Sequence, residues 1–336
     1  MLYINSMQAR SSGLRGGIHE VVIGVPDIDT AVSHWQAFGY DIVQRGQLSD
    51  SAALELYGYR ESLQAVRLGH GKATSGLVRL QQWNRPLAAG LASAPLRVTG
   101  SRWSVHRTHD ITPALVWGRY LEKSAPGTVV NGPVIQSVSA MAASINHAVL
   151  TPLYRHVLMV RHGIDVPVYG TPDPGCLLGS SEVVHAGIVV NTVDAALLEF
   201  YSLLGFKPMS VRRVVYDRQS VATQLFPLYP GEALVEHDFD DPESTAGRGQ
   251  LPGRLRAFVL EPGADSPQQT VPGDLGYGLY TVRHTVCNGP EMGRKWLQDL
   301  GATSLGCGPD EFGVRSCRFR APDGYQWLGM AAEKPD

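Results

Sequence analysis

One imidazole stands out for its surroundings. His185 lies in the run Val183-Val184-His185-Ala186-Gly187-Ile188-Val189-Val190, apolar at nearly every other position. A continuous run of this kind is the pattern of a strand covered on both faces. An ionisable ring inside it needs a reason, and a divalent metal, which suits a neutral imidazole, is one. Other chemistries lack their residues. No GxSxG nucleophile elbow occurs. Gly69-His70-Gly71 is too short and wrongly placed for a phosphate loop. None of the four cysteines, Cys176, Cys287, Cys307 and Cys317, forms a CxxC pair, which argues against a zinc cluster. Cys307 and Cys317 could meet across a hairpin, but reduced thiols are the expectation. His106, His109, His147, His156 and His162 show no tight ligand spacing and read as core or surface histidines.

The elements that must position His185 recur along the chain. After the strand, Asn191-Thr192-Val193-Asp194 forms a turn. Ala195, Leu198, Phe200, Tyr201 and Leu204 then recur at helical spacing, and Gly205 follows as a stop. The same order appears near the start: Ile18 to Val25 as a strand, Pro26-Asp27-Ile28-Asp29 as a turn, Thr30 to Phe38 as a helix, Gly39 as its stop. Extended pieces follow at Tyr40 to Val43, Ser62 to Leu68 and Gly76 to Trp83, which makes one βαβββ unit. A second, less regular unit starts at Trp103. The third starts at Val183, with strands near Met209 to Tyr216, Ser220 to Pro227 and Glu232 to Phe239, and Leu255 to Leu260 as an extra piece. The fourth runs from Gly278 through a helix at Met292 to Leu300 to final strands at Val314 to Arg320 and Tyr325 to Met330. The Pro- and Gly-rich stretch Ile164 to Ser180 is the best boundary.

Four units of this cadence resemble the vicinal oxygen chelate superfamily, also called the glyoxalase/bleomycin-resistance/extradiol-dioxygenase fold. The likeness spans about Gly17 to Met330. It is most specific at His185 through Phe206, and at the turn-plus-strand sequences Pro230-Gly231-Glu232-Ala233-Leu234-Val235-Glu236-His237 and Ala321-Pro322-Asp323-Gly324-Tyr325-Gln326-Trp327-Leu328. The resemblance implies an α+β fold in which four βαβββ modules pair into two open, barrel-like curved sheets with helices outside. It also implies an N-terminal pair over 17–165 (modules 17–87 and 98–162) and a C-terminal pair over 181–336 (modules 182–262 and 276–332).

In this superfamily a metal lies inside the curled sheet, on a residue in a module's first strand and a Glu in its last. Carried over, the third module supplies His185 and Glu236. The first supplies Glu20, with His19 one residue out of phase and therefore expected on the opposite face; its last-strand position is Arg79. The second offers Trp103, the fourth Val282 and Leu328, with His284 sharing the face of Val282. The implied metal ligands are thus His185, Glu236 and either Glu20 or His284, and the last two are also the candidates for moving a proton. Trp103, Tyr277, Tyr280 and Trp327 are the candidates for lining an aromatic substrate pocket. Glu20 has an alternative reading as a carboxylate paired with an arginine.

The implied function is a metal-dependent enzyme, using Fe, Mn, Ni, Co or Zn. It would act as an isomerase, lyase or dioxygenase on a small oxygenated, aromatic or enolisable substrate. The alternative is a metal-free protein of the same superfamily that binds or sequesters an aromatic small molecule, which Trp103, Val282 and Leu328 at ligand positions favour. Composition agrees with a globular protein: of 336 residues, 43% are hydrophobic and 18% charged, enough to fill a core. A net charge of −2 without a basic tract argues against nucleic acid as a partner. No apolar run approaches the ~20 residues of a membrane span, and Met1 to Gly17 lacks a signal peptide's apolar core. A small-molecule partner, a cytoplasmic location and a homodimer are the corresponding expectations.

Overall fold

The computed structural model describes residues 14–88, 99–139, 142–151, 156–164, 176–215, 229–241, 253–263, 271–284 and 290–332. Module one comprises β1 (Leu14–Gly24), α1 (Ile28–Gln36), β2 (Tyr40–Leu48), α2 (Asp50–Tyr57), β3 (Leu63–His70) and β4 (Leu77–Trp83). Module two comprises β5 (Gly100–Thr108), α3 (Thr112–Ser124), β6 (Val129–Ser139), β7 (Ala142–Thr151) and β8 (His156–Ile164). Module three comprises β9 (His185–Val190), α4 (Ala195–Leu204), β10 (Lys207–Val215), β11 (Ala233–Asp240) and β12 (Arg254–Glu261). Module four comprises β13 (Gly276–His284), α5 (Pro290–Asp299), β14 (Thr303–Pro309), β15 (Arg315–Arg320) and β16 (Gln326–Ala331). The expected strand at Ser220 to Pro227 lies outside the described residues.

Local chemistry accounts for the repeat. Asp27 and Asp194 cap α1 and α4, their side chains accepting from the backbone N–H of Thr30 and Leu197. Gly205 closes α4 at φ 112°, a left-handed conformation that costs glycine nothing. Within each module the first strand lies parallel to the fourth: β1 to β4, β5 to β8, β9 to β12 and β13 to β16.

The modules do not pair as one with two and three with four. One eight-stranded sheet has the order β14-β15-β16-β13-β1-β4-β3-β2, joining module four to module one; the other, β10-β11-β12-β9-β5-β8-β7-β6, joins three to two. The expected N- and C-terminal pairs are thereby corrected. The joins are the antiparallel edges β1–β13 and β5–β9, long-range contacts that no local pattern encodes.

Each sheet has a convex face, packed on helices and on the other sheet, and a concave face. Ile18, Val21, Ile23, Val66, Val78 and Tyr280 of one sheet share a core with Ala186, Ile188, Val190 and Ala257 of the other. Trp35 and Phe38 reach across to His106, with ring centroids 5.7 and 5.2 Å apart, and Tyr201 reaches Trp327 at 6.0 Å. The Tyr280 hydroxyl donates to the Gly187 carbonyl at 2.5 Å, tying β13 to β9. This burial is the main stabilising term of the fold.

One helix departs from the four-fold pattern. The sequence pattern places extended pieces at Tyr40 to Val43 and Ser62 to Leu68 and no helix between them, yet α2 forms there. Its Leu56, Tyr57 and Ala53 pack with Val22, Ala65, Leu328 and Met330 on the concave face of the one–four sheet. Cys307 and Cys317 stand directly opposite each other on β14 and β15 and are disulfide-bonded, against the expectation of reduced thiols. Among the described residues no helix is long and apolar enough to cross a membrane.

Candidate functional site

The concave faces are where the resemblance puts chemistry, and the strand registers define their rows. In the one–four sheet Glu20 faces Thr281 and Leu77. In the two–three sheet His185 faces Val105 and Arg254. Paired residues project to the same side, so these are the corresponding first-strand positions. Module two therefore presents Val105 rather than Trp103, and module four Thr281 rather than Val282. Both displacements reflect strand starts that a sequence pattern locates only to within a residue or two.

Glu20 does point into the one–four sheet, and it is fully buried. Arg67 Nε donates to its Oε1, and Arg79 Nε donates to Oε2 at 2.7 Å. Burial opposes the carboxylate charge, but the guanidinium groups of Arg79 and Arg67 outweigh it and hold the carboxyl at about 2. The guanidinium of Arg79, itself fully buried, continues to Glu311 at 2.9 Å and Asp310 at 3.0 Å. The Tyr57 hydroxyl donates to Glu311 at 2.9 Å, and Gln81 donates to the same oxygen. Burial raises the Glu311 carboxyl and the Tyr57 hydroxyl above their ordinary values. The turn Asp310–Gly313 thus inserts from above, and its Phe312 ring lies 4.2 Å from the Arg67 guanidinium carbon.

His19 does not obey strict alternation. β1 spends two steps, Ile18 to Glu20, where β13 spends one, Val282 to Thr281. This bulge leaves His19 Nε2 3.8 Å from Glu20 Oε1. Burial lowers the His19 imidazole to about 3, and Nδ1 bonds the Thr74 carbonyl.

His284 is on the other side. It shares a face with Val282 as expected, but that face is the convex one, and its ring stacks on Trp296 of α5 at 4.5 Å. Tyr280 and Trp327, expected in a pocket, are also in the convex core. Tyr277 stands on β13 opposite Ile23, and its side chain lies outside the described residues. Glu20 and His284 belong to the one–four sheet and His185 to the two–three sheet.

The two–three sheet puts His185, Trp103, Gly187, Phe258 and Glu236 on its concave side. Trp103 covers Gly187 so closely that a Cβ there would lie 1.8 Å from the indole, which is why glycine occupies the position. The Trp103 and Phe258 rings touch at a tilt, with centroids 4.6 Å apart and an interplanar angle of 33°. Glu236 belongs to β11, the third strand; the fourth, parallel to β9, is β12. The piece Leu255 to Leu260, expected as extra, is therefore the strand that occupies the last position. Glu236 faces Phe258, four residues beyond Arg254, the residue opposite His185. That is about 13 Å along the strands and about 10 Å across them, too far for one metal to bridge.

Around Glu236 runs a ladder of ion pairs. Arg212 bonds Glu236 through Nη2 at 2.5 Å and Nε at 3.0 Å; Arg256 bonds Asp238 twice, at 2.6 and 3.0 Å; Arg254 bonds Asp240. Burial opposes the charge on Asp238, but Arg256 and Arg254 hold it at about 2. Among the described residues no three His, Cys, Asp or Glu side chains are grouped to hold a metal. Sequence reasoning missed Arg67, Arg256, Phe258, Asp310 and Glu311. A signal existed for the last two, in the turn Pro309-Asp310-Glu311-Phe312-Gly313, but nothing local told that it enters the other end of the chain.

Comparison with known proteins supports the architecture. No protein-family model matches the sequence, and no curated protein matches it. Solved structures do. Glyoxalase I from Zea mays aligns over 94% of this chain and 92% of its own, with TM-score 0.55 and 13% identity. A putative dioxygenase from Bacillus subtilis aligns over 96% of this chain and 87% of its own, with TM-score 0.53 and 11% identity. The chain has the paired βαβββ fold of the vicinal oxygen chelate superfamily.

Proposed function

We propose that the chain binds a small oxygenated aromatic molecule on the concave face of the two–three sheet, without a metal. The observation that carries this reading is the contact of the Trp103 and Phe258 rings on the same concave face as His185. Two π-faces suit a planar ligand, and an imidazole with neighbouring arginine–carboxylate pairs suits its oxygens. The described donors do not fit a metal. Glu236, Asp238 and Asp240 each already hold an arginine, whose positive charge disfavours a cation at the same oxygens.

Calorimetric titration of chelator-treated protein with catechol and salicylate tests the reading. Binding should be the same with and without EDTA and should weaken about tenfold or more in Phe258→Leu, the scale of losing one aromatic contact. Binding that appears only with added Fe, Mn, Ni, Co or Zn would contradict it.

A second reading makes the chain an enzyme, with His185 as proton carrier. Its support is the buried imidazole on the concave face, together with likeness in fold to a glyoxalase and a putative dioxygenase. Turnover of a bound aromatic that falls at least 100-fold in His185→Ala, on the usual scale for a general base, would favour it. A cytoplasmic location goes with either reading, although the Cys307–Cys317 bridge favours a less reducing compartment.

A further inference from the structure

We infer that the one–four sheet contains a cation site whose resident cation is the guanidinium of Arg79, in the place where the resemblance would put a metal. Arg79 stands at that module's last-strand ligand position, two residues beyond Leu77, the parallel neighbour of Glu20. Three carboxylates converge on it: Glu20 with Nε at 2.7 Å, Glu311 with Nη1 at 2.9 Å and Asp310 with Nη2 at 3.0 Å. Met330 Sδ lies 3.4 Å from Nη2. All four charged side chains are buried. Carboxylates collected around one point in a low-dielectric interior need a central positive charge. In this sheet a side chain supplies it permanently. The arrangement is also sealed: α2 fills the concave face from one side, and Phe312 lies over Arg67 and Arg79 from the other. The one–four half is therefore a closed structural barrel, and the inference does not depend on what the two–three sheet binds.

Removing the side chain should turn the internal cation into an external one. In full-length Arg79→Ala the cavity keeps Glu20, Asp310 and Glu311. The protein should melt well below wild type, and methylguanidinium, Mn²⁺, Co²⁺ or Zn²⁺ at millimolar concentration should raise its melting temperature by roughly 5 °C. Wild type under the same conditions should not move. An Arg79→Ala protein as stable as wild type, or a folded, destabilised one that none of these cations rescues, overturns the inference. If Arg79→Ala does not fold, wild type and Glu20→Gln decide. Equal, negligible responses of both to the three metals support it. A metal-dependent rise in wild type that Glu20→Gln abolishes overturns it.

Discussion

The two sheets share one topology and use charge in opposite ways. In the one–four sheet the charges sit at the centre: Arg79 and Glu20 are inaccessible to water and are locked by Asp310, Glu311, Tyr57 and Gln81. In the two–three sheet they form a ladder that runs outward from the buried Arg254–Asp240 pair to Arg212, whose side chain is 49% accessible. A buried network is costly to assemble and more costly to break, because removing one member leaves the others unsolvated. An exposed pair contributes little. One half of the fold is thus centred on a buried charge network, while the other carries the buried rings of Trp103, Phe258 and His185 on its concave side.

The largest expected effect tests that contrast directly. Arg79→Met should lower the unfolding free energy by about 3–5 kcal/mol, since it strands three buried carboxylates. Arg212→Met should cost about 1 kcal/mol or less. Urea denaturation of both variants checks this, and equal losses would erase the distinction between the sheets.

Acid should act next, through histidines buried in neutral form. Burial lowers His19 to about 3, and burial followed by Arg119 lowers His147 to about 4, both from an ordinary 6.5. A group whose folded pKa lies below its unfolded one binds fewer protons when folded. Stability should therefore fall as pH drops from about 6.5 towards 4. The His147 contribution is on the order of 3 kcal/mol by the linkage relation. Urea midpoints across this range should flatten in His147→Gln; an unchanged slope would exclude the residue.

A smaller effect should mark the two–three face. Gly187→Ala drives a methyl into the Trp103 ring and should cost about 1–3 kcal/mol, while weakening aromatic-ligand binding. Smallest of all, Asp194→Ala removes the cap of α4 and should cost about 1 kcal/mol, read from the melting temperature, with binding unchanged.

What the sequence disclosed follows from how local each signal is. The strand at His185, the turn ending at Asp194 and the stop at Gly205 are encoded within about twenty consecutive residues, and the structure has all three, with Asp194 also capping α4. The inward direction of Glu20 was legible too, as was its alternative as an arginine-paired carboxylate. The partners Arg67 and Arg79 lie 47 and 59 residues away, and Glu311 of the same network lies 232 residues from Arg79. Module pairing is equally non-local. The acidic, glycine-rich stretch before Arg254 hid the fact that β12 is the fourth strand and moved the expected ligand to Glu236. Helix α2 had local signals, Ser49 as its cap and Gly58 as its stop, but its short apolar run suited a loop inside a βαβββ repeat just as well.

The central claim is that ligand chemistry belongs to the two–three sheet and the one–four sheet is closed. Titration of chelator-treated Phe258→Leu and Tyr57→Phe with catechol tests it most directly, because each variant alters one concave face. The account predicts binding weakened about tenfold in Phe258→Leu and wild-type affinity in Tyr57→Phe. Binding kept in Phe258→Leu and lost in a folded Tyr57→Phe would contradict it.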